Sequence, residues 1–381
     1  MSESPIRFER ILKARFVDRP NRFLVRCREP ALGRIEAFLP NPGRMWELFL
    51  PGVTTYVIPE APSPTRRTRY TAVAVERDGE PVFLHTHLTN HVARFLIEQR
   101  RIPGLEEAEV VASEVTHGHS RFDFLLRKGG REVFMEVKSC TLFGNEVGMF
   151  PDAITDRGRR HLLELADLGS KGHRHVALIV CQGPHLRWFM PDYHTDLAFS
   201  QAFLSVRDRV QIVPVSIGWN NDLSLMDDVR LLDVPWGYLR REVKDRGSYL
   251  LLLKLRRRRR VSVGRLGSIA FEKGYYIYVG SAMRNLSARI ARHLRMRKRF
   301  HWHIDYLRQV ADSVTPLPIR SCERLECRMG EALSSFLRPG PDGFGASDCN
   351  CPTHLFRSDE TPLHSRPFHG LLQRFRMRHP T

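Results

Sequence analysis

Three residues in the first half of the chain have the types and spacing of a phosphodiester-cleaving centre. Asp123, Glu136 and Lys138 read as D-x12-E-x-K. Two carboxylates can hold one or two Mg²⁺ or Mn²⁺ ions, which prefer oxygen ligands. Such an ion lowers the pKa of a bound water and neutralises charge on a phosphoryl group in the transition state. A lysine beside it can orient the attacking water or stabilise developing negative charge. Alone, an acid-x-Lys triplet is most often a structural ion pair. Here all three sit in strongly apolar runs, where unpaired charge costs desolvation energy, and that favours the catalytic reading.

The elements that must position them follow from the local pattern. Residues 120–141 read as two strands joined by a turn at Lys128-Gly129-Gly130-Arg131, because glycines allow positive φ between two apolar runs. Side chains alternate along a strand, so Glu136 and Lys138 share a face, roughly 6–7 Å apart. Before this hairpin, residues 87–101 carry helical spacing, with Asn90 as the expected N-cap and Glu98 inside. After it come a turn at Phe150-Pro151-Asp152, a helix burying Leu162, Leu165 and Ala166, and strands alternating with a helix up to about residue 217. Such alternation predicts an α/β core. Residues 6–80 break into five short strand-like runs, the count of a small OB-type barrel.

These segments carry a resemblance. PNPGRM (40–45), SRFDFLL (120–126), EVKSCTL (136–142) and FPDAITDRGRRHLLEL (150–165) match, in order, hallmark segments of the bacterial and archaeal sugar fermentation stimulation protein family. The resemblance covers residues 1 to about 238, some 60% of the chain. It implies an OB-type domain followed by a nuclease fold of the PD-(D/E)xK class, with nucleic-acid binding and metal-dependent nuclease activity. The acids and lysine of that class map onto Asp123, Glu136 and Lys138, with Asp123 and Glu136 as metal ligands. Glu98 is the available helical glutamate that such enzymes often add. Asp152, Arg157 and His161 fall in the FPD…RG…H segment and are expected to contact substrate or support the site. For Asp152 the simpler reading is helix capping. Arg44, after the Asn41-Pro42-Gly43 turn, is a candidate phosphate contact, although turn chemistry alone explains that turn.

From Gly247 a new module begins. GSYLLLLKL, GYYIYVGSA and LSARIARHL predict strand, strand and helix, with Leu286, Ile290 and Leu294 facing the core and Arg289, Arg292 and His293 elsewhere on the surface. Tyr249, Tyr278, Arg289 and a helical glutamate are the useful set. A tyrosine beside a metal can act as base, though a pKa near 10 needs help. Arginine clamps phosphate, and a glutamate holds Mg²⁺. With HWHIDYL, LEC and GFGASDCNCPTHLF, this set resembles the GIY-YIG nucleases, in the small variant found beside endonuclease III-type glycosylases. Serine replaces isoleucine in Gly247-Ser248-Tyr249, and Ser281 stands where a lysine often follows the second motif. Glu326 is the first choice of metal ligand and Glu331 the second. His293 and His303 are candidate substrate contacts, and His301, His303 and Asp305 an alternative ligand set. Cys349-x-Cys351-x2-His354, with Cys322 or Cys327, suggests zinc. C-x-C is tighter than the usual C-x2–4-C spacing, so zinc ranks below Mg²⁺ or Mn²⁺ here.

The charge agrees with a polyanionic partner. Net charge is +18, and from Gly247 onward 25 Lys and Arg stand against 10 Asp and Glu, so +15 of it lies in the last third. Nucleic acid, DNA ahead of RNA, is the expected partner. Seven scattered cysteines, no signal-peptide h-region and no membrane-length apolar run predict a reduced, cytoplasmic chain with no membrane partner. The expected architecture is multidomain α+β and α/β. It comprises an OB-like barrel (1–82), a PD-(D/E)xK nuclease-like α/β core (83–238), a linker (239–246), a GIY-YIG-like α+β domain (247–360) and a basic, disordered tail (361–381). The expected function is metal-dependent hydrolysis of DNA or RNA. The alternative is a non-catalytic DNA-binding regulator of sugar (maltose-type) metabolism genes.

Overall fold

The computed structural model describes residues 4–64, 66–118, 120–169 and 174–380. They form two compact units. One holds the residues up to Asp192 together with Ala198–Trp236, and the other Tyr193–Leu197 with Gly237–Arg378.

The first unit begins with a barrel. Its strands are β1 (Leu12–Asn21), β2 (Leu24–Glu29), β3 (Gly33–Phe38), β4 (Thr54–Pro59), β5 (Tyr70–Arg77) and β6 (Glu80–Phe83). They run in the order β3-β2-β1-β4-β5-β6, and a parallel β3–β5 pairing closes the sheet. Five strands match the sequence reading. The sixth follows a turn at Asp78-Gly79, both at positive φ. Alternate residues of the strands, among them Phe16, Val25, Ala37, Val57 and Ala72, fill the interior with Leu39, Met45 and Phe49.

Next come α1 (Thr89–Glu98), β7 (Glu109–His117), β8 (Ser120–Lys128), β9 (Arg131–Cys140), β10 (Leu142–Gly144), β11 (Val147–Phe150), α2 (Asp156–Leu168), β12 (His175–Cys181), β13 (Trp188–Pro191), α3 (Leu197–Ser205), β14 (Val210–Trp219) and β15 (Leu225–Leu231). A six-stranded sheet runs β15-β14-β12-β9-β8-β7, with β12 parallel to both β9 and β14. One face carries Phe124, Met135, Val137, Val176 and Val213, and Val92, Ala93, Leu96 and Ile97 of α1 pack on it. The opposite face, with Ala177 and Ile179, meets Leu162 and Leu165 of α2, which line a small apolar hollow against Glu136 and Lys138. The strand β12 is buried at every residue, as expected of a parallel strand covered on both faces. Short strands β10, β11 and β13 form a separate sheet.

The second unit contains most of α4 (Trp236–Glu242), then β16 (Gly247–Leu255), β17 (Arg259–Ser262), β18 (Ser268–Phe271), β19 (Gly274–Ala282), α5 (Leu286–Leu294), α6 (His303–Val310), β20 (Ser313–Arg320), α7 (Glu326–Ser334), β21 (Arg338–Pro339), β22 (Leu355–Ser358) and α8 (Arg366–Arg376). Its sheet runs β20-β16-β19-β22-β21 and is antiparallel throughout. Two sequence expectations are corrected here. Residues 239–242 of the expected linker are helical, as the end of α4. The tail is not disordered over 366–376, because Phe368, Leu371, Leu372 and Phe375 recur at helical spacing and are buried. No helix among the described residues is long and apolar enough to cross a membrane.

Candidate functional site

The β8–β9 ladder ends at Phe124 opposite Met135. Beyond it the strands part, and Asp123 occupies the gap. Its Oδ2 accepts the Val137 N–H at 2.7 Å, and its Oδ1 accepts from Asn90 Nδ2 at 2.8 Å. A side chain thus replaces a ladder bond. Asn90 is not the N-cap of α1. Leu88 holds that position, and Asn90 reaches from the first turn to the carboxylate. Glu98 does not approach the acids. It is exposed and pairs with Arg94 at 3.3 Å.

Glu136 is buried at the centre of the sheet. Its Oε1 accepts from His161 Nδ1 at 2.7 Å and from Lys138 Nζ. Arg157 Nε donates to His161 Nε2 at 3.4 Å. A ring nitrogen that accepts leaves the proton on the other, so His161 donates to Glu136. Glu136 Oε2 is buried with no hydrogen-bond partner. Burial raises the Glu136 pKa, but hydrogen bonds from His161 and Lys138 outweigh it and the group lies below its ordinary value. Asp123 moves the opposite way, raised by burial and by the charge of Glu136 against the donors Val137 and Asn90. The two carboxylates are therefore inequivalent. Glu136, Lys138, Arg157 and His161 are gathered here beside Asp123.

Arg44 and Asp152 meet each other instead. Arg44 Nε donates to the Asp152 carbonyl at 2.6 Å, and the Met45 N–H donates to Asp152 Oδ2 at 2.6 Å. Asn41 Oδ1 accepts the Gly43 N–H at 2.9 Å. A Cβ on Gly43 would lie 3.1 Å from Asp152 Oδ2, so glycine lets the PNPGRM turn seat on the FPD segment. Burial and Glu47, opposed by Arg44, raise the Asp152 carboxyl to about 7. Asp152 does not cap α2. Thr155 does, accepting the Gly158 N–H at 3.1 Å.

In the second unit, Tyr249, Tyr278, Arg289, Glu326, His301 and His303 line one open cleft, with Ser281 and Asp348. The two tyrosines lie on neighbouring strands, and Tyr249 stands opposite Gly280. A Cβ at Gly280 would fall 2.5 Å from the Tyr249 ring and hydroxyl, so glycine is what lets that ring cross the strand. Gly280→Ala is expected to displace Tyr249 and to cost about 1–3 kcal/mol, read as a lowered Tm of the full chain. An unchanged Tm would contradict this packing.

Burial raises the pKa of both tyrosines. Tyr249 Oη and His293 Nε2 are 2.8 Å apart. His293 is buried behind Tyr249 rather than on the surface where the helical pattern put it. Its Nδ1 faces Asp305 at 3.5 Å. Asp305 also binds Arg292 at 3.1 Å and Lys298 at 3.0 Å, and accepts the N–H groups of His301 and Trp302. The set His301, His303, Asp305 is therefore no ligand cluster, because Asp305 is spent on these cations and His303 Nδ1 accepts the Gly345 N–H. Arg289 and Arg292 both stack on Trp302, each 4.3 Å from the ring centroid.

Glu326 Oε2 accepts from Ser281 Oγ at 2.5 Å, and Oε1 lies 3.1 Å from His354 Nδ1. Burial would raise the Glu326 pKa, but His354 and Ser281 hold it below the ordinary range. Glu331 is exposed on the same helix and does not line the cleft. The sequence reading gave Asn90, Trp302 and Ser281 no part in either site. Asn90 and Trp302 carry no signal beyond residue type, whereas Ser281 was marked only by the lysine it replaces.

Comparison with known proteins agrees with this division. Residues 17–84 match the model for the SfsA N-terminal OB domain, and 87–222 the model for the sugar fermentation stimulation protein RE domain. Residues 248–376 match a domain of unknown function, DUF123. A sugar fermentation stimulation protein homolog of Methanothermobacter thermautotrophicus is 32% identical over 230 residues, 60% of this chain and 95% of that protein. The homolog of Clostridium tetani is 36% identical over 196 residues, 51% of this chain and 84% of the other. The solved structure of Pyrococcus furiosus SfsA in complex with Ca²⁺ aligns with TM-score 0.55 and 26% identity, over 61% of this chain and 99% of that one. The chain therefore belongs to the sugar fermentation stimulation protein family, and it continues past that family's two domains into a DUF123 domain.

Proposed function

We propose that this protein is a metal-dependent phosphodiesterase acting on nucleic acid, DNA ahead of RNA, with its chemistry at Asp123, Glu136 and Lys138. The observation that carries this reading is Glu136 Oε2, a buried carboxylate oxygen with no partner. Leaving such an acceptor unsatisfied costs about 1–3 kcal/mol. An oxygen-seeking divalent ion of the Mg²⁺ or Mn²⁺ kind fits it, and Asp123 supplies a second carboxylate close enough for the charge of Glu136 to raise its pKa. Asp123 and Glu136 would hold that ion, which when bound supplies an activated water and neutralises phosphoryl charge. The Ca²⁺ of the Pyrococcus furiosus relative is a cation of the same oxygen-seeking class.

The chain's own groups do the rest. Lys138, half-buried beside Glu136, is placed to donate to the attacking water and to the phosphoryl oxygens as charge develops there. His161, fixed by Arg157, keeps Glu136 ionised. In the second unit, Arg289, held against Trp302, would clamp phosphate, and exposed Arg295, Arg297 and Arg299 would follow the backbone. Tyr249, Tyr278 and Glu326 make that cleft a second candidate cleaving site of GIY-YIG type. Binding is expected to weaken steeply between low and physiological salt, since each phosphate contact releases counterions. A flat salt response would argue against the basic surface as the contact.

A silent, purely binding role is favoured by one observation, that both Asp123 oxygens are already occupied by Asn90 and Val137. Cleavage of single- and double-stranded DNA and RNA by the full chain, with Mg²⁺ and with Mn²⁺, separates the two. Cutting that disappears in Asp123→Ala supports the enzyme. Tight binding with no cutting under any divalent ion overturns it.

A further inference from the structure

In the second unit, Cys327, Cys349, Cys351 and His354 point one ligand atom each at a common centre, all four atoms within 4.8 Å of one another. Cys327 lies in the first turn of α7, one residue after Glu326. The other three come from the loop before β22. This settles which cysteine completes the set, because Cys322 is turned away and donates from Sγ to Glu242 Oε1 at 2.7 Å. Among the described residues this is the one cluster of at least three such ligands. Cys349 Sγ and His354 Nε2 are 3.5 Å apart. A tetrahedral ion with Zn–S of about 2.3 Å and Zn–N of about 2.0–2.1 Å places sulfur and nitrogen about 3.5–3.6 Å apart.

We infer that Cys327, Cys349, Cys351 and His354 form a structural zinc site that fixes the position of Glu326 in the cleft. Three sulfurs and one imidazole are a soft, tetrahedral donor set suited to Zn²⁺, unlike the all-oxygen sites of Mg²⁺ or Ca²⁺. All four positions are filled by protein, the pattern of a structural ion, with none left open for a reacting water. The unusual C-x-C spacing is accommodated because Cys327 arrives from a separate helix.

The second nitrogen of His354 gives the site its consequence. With Nε2 on zinc, Nδ1 carries the proton and donates to Glu326 Oε1, 3.1 Å away. That is a carboxylate–histidine–zinc arrangement, in which the outer carboxylate orients the ring. Here the outer carboxylate also lines the cleft with Tyr249 and Arg289. The ion therefore holds the end of α7 to the loop that ends at His354, and sets the rotamer of Glu326 through one imidazole. Glu326 is a positioning residue for zinc and, from its other side, a candidate group for the cleft.

Full-length protein purified under reducing conditions without chelator is expected to carry one zinc per chain by elemental analysis. Replacement by Co²⁺ should give thiolate-to-cobalt charge transfer in the near ultraviolet and the intense visible bands of tetrahedral cobalt. Cys349→Ser and Cys327→Ser should lose the metal, and Cys322→Ser should keep it. Glu326→Gln should lower zinc affinity roughly 10–100-fold. If the cysteine variants do not fold, release of one zinc from wild-type protein by a mercurial, read with a metal dye, still decides. Sub-stoichiometric zinc, disulfides among these cysteines, or an iron–sulfur chromophore would overturn the proposal. So would loss of metal from Cys322→Ser equal to that from Cys349→Ser. None of these readouts depends on nucleic-acid cleavage, so the site stands or falls separately from the proposed nuclease.

Discussion

Glu136→Gln is expected to slow phosphodiester cleavage by roughly 10³-fold, the several kcal/mol that a Lewis-acid site supplies, while nucleic-acid binding changes little. The substitution keeps shape and keeps an acceptor for His161. It removes the charge that pairs with Lys138 and the anionic oxygen left buried without a partner. A pure binding module would lose no affinity, because a carboxylate facing a phosphate only repels it. Cleavage and binding measured on the same preparation therefore discriminate. Equal loss of both would point to unfolding and would be checked by Tm. The pH profile adds an independent sign. Asp123 has a raised pKa and must be ionised to act as a ligand, so the rate should fall as pH drops through that pKa. Asn90→Ala removes a donor that favours the charged form. It should move the acid limb to higher pH, whereas a purely structural role for Asn90 would leave the limb in place.

Asp305→Asn should destabilise the second unit by about 3–5 kcal/mol, the cost of leaving buried charges without their partner. The Asp305 side chain is 0% exposed and Lys298 only 6%, and Arg292 meets both carboxylate oxygens at 3.1 Å. Burial raises the Asp305 pKa, but His293, Arg292, Lys298 and the His301 N–H hold it far below the carboxylate range. A depressed folded-state pKa gives stability that is complete above the unfolded value, near 3.9, and is lost as pH falls below it. Wild-type Tm should therefore drop through that acid window, and the asparagine variant should show a lower Tm at neutral pH with a shallower acid slope. A variant melting with the wild type at neutral pH would remove Asp305 from the framework behind Tyr249.

What the sequence shows is what local periodicity encodes. The strand carrying Glu136 and Lys138, the strands of Tyr249 and Tyr278, and the helix of Arg289 are regular apolar patterns, and all are found. SVTPLPIR has no place in the sequence reading, and Pro316 and Pro318 interrupt its strand pattern. As β20 it lies at a sheet edge, where proline removes no needed donor. The helix α8 was hidden by its arginines, although Phe368, Leu371, Leu372 and Phe375 stand at helical spacing. Side-chain partners were harder. Arg44 and Asp152 are 108 residues apart, so nothing local says that they bond to each other. Asn90 has the type of a cap, and only the tertiary fold turns it toward Asp123. Cys327 joins Cys349 across a helix and a loop, a pairing that spacing rules tuned to adjacent cysteines rank low.

The missing rung between β8 and β9 makes the centre observable without any substrate. The Val137 N–H points at the Asp123 carboxylate over 2.7 Å, so its proton is deshielded in proportion to the charge on that acid. In protein labelled with ¹⁵N-valine this resonance should move when Asp123 takes up a proton, and again when a divalent ion draws on the same oxygens. One amide thus becomes a meter for the ionisation and occupancy of the site, readable in a chain that has cut nothing.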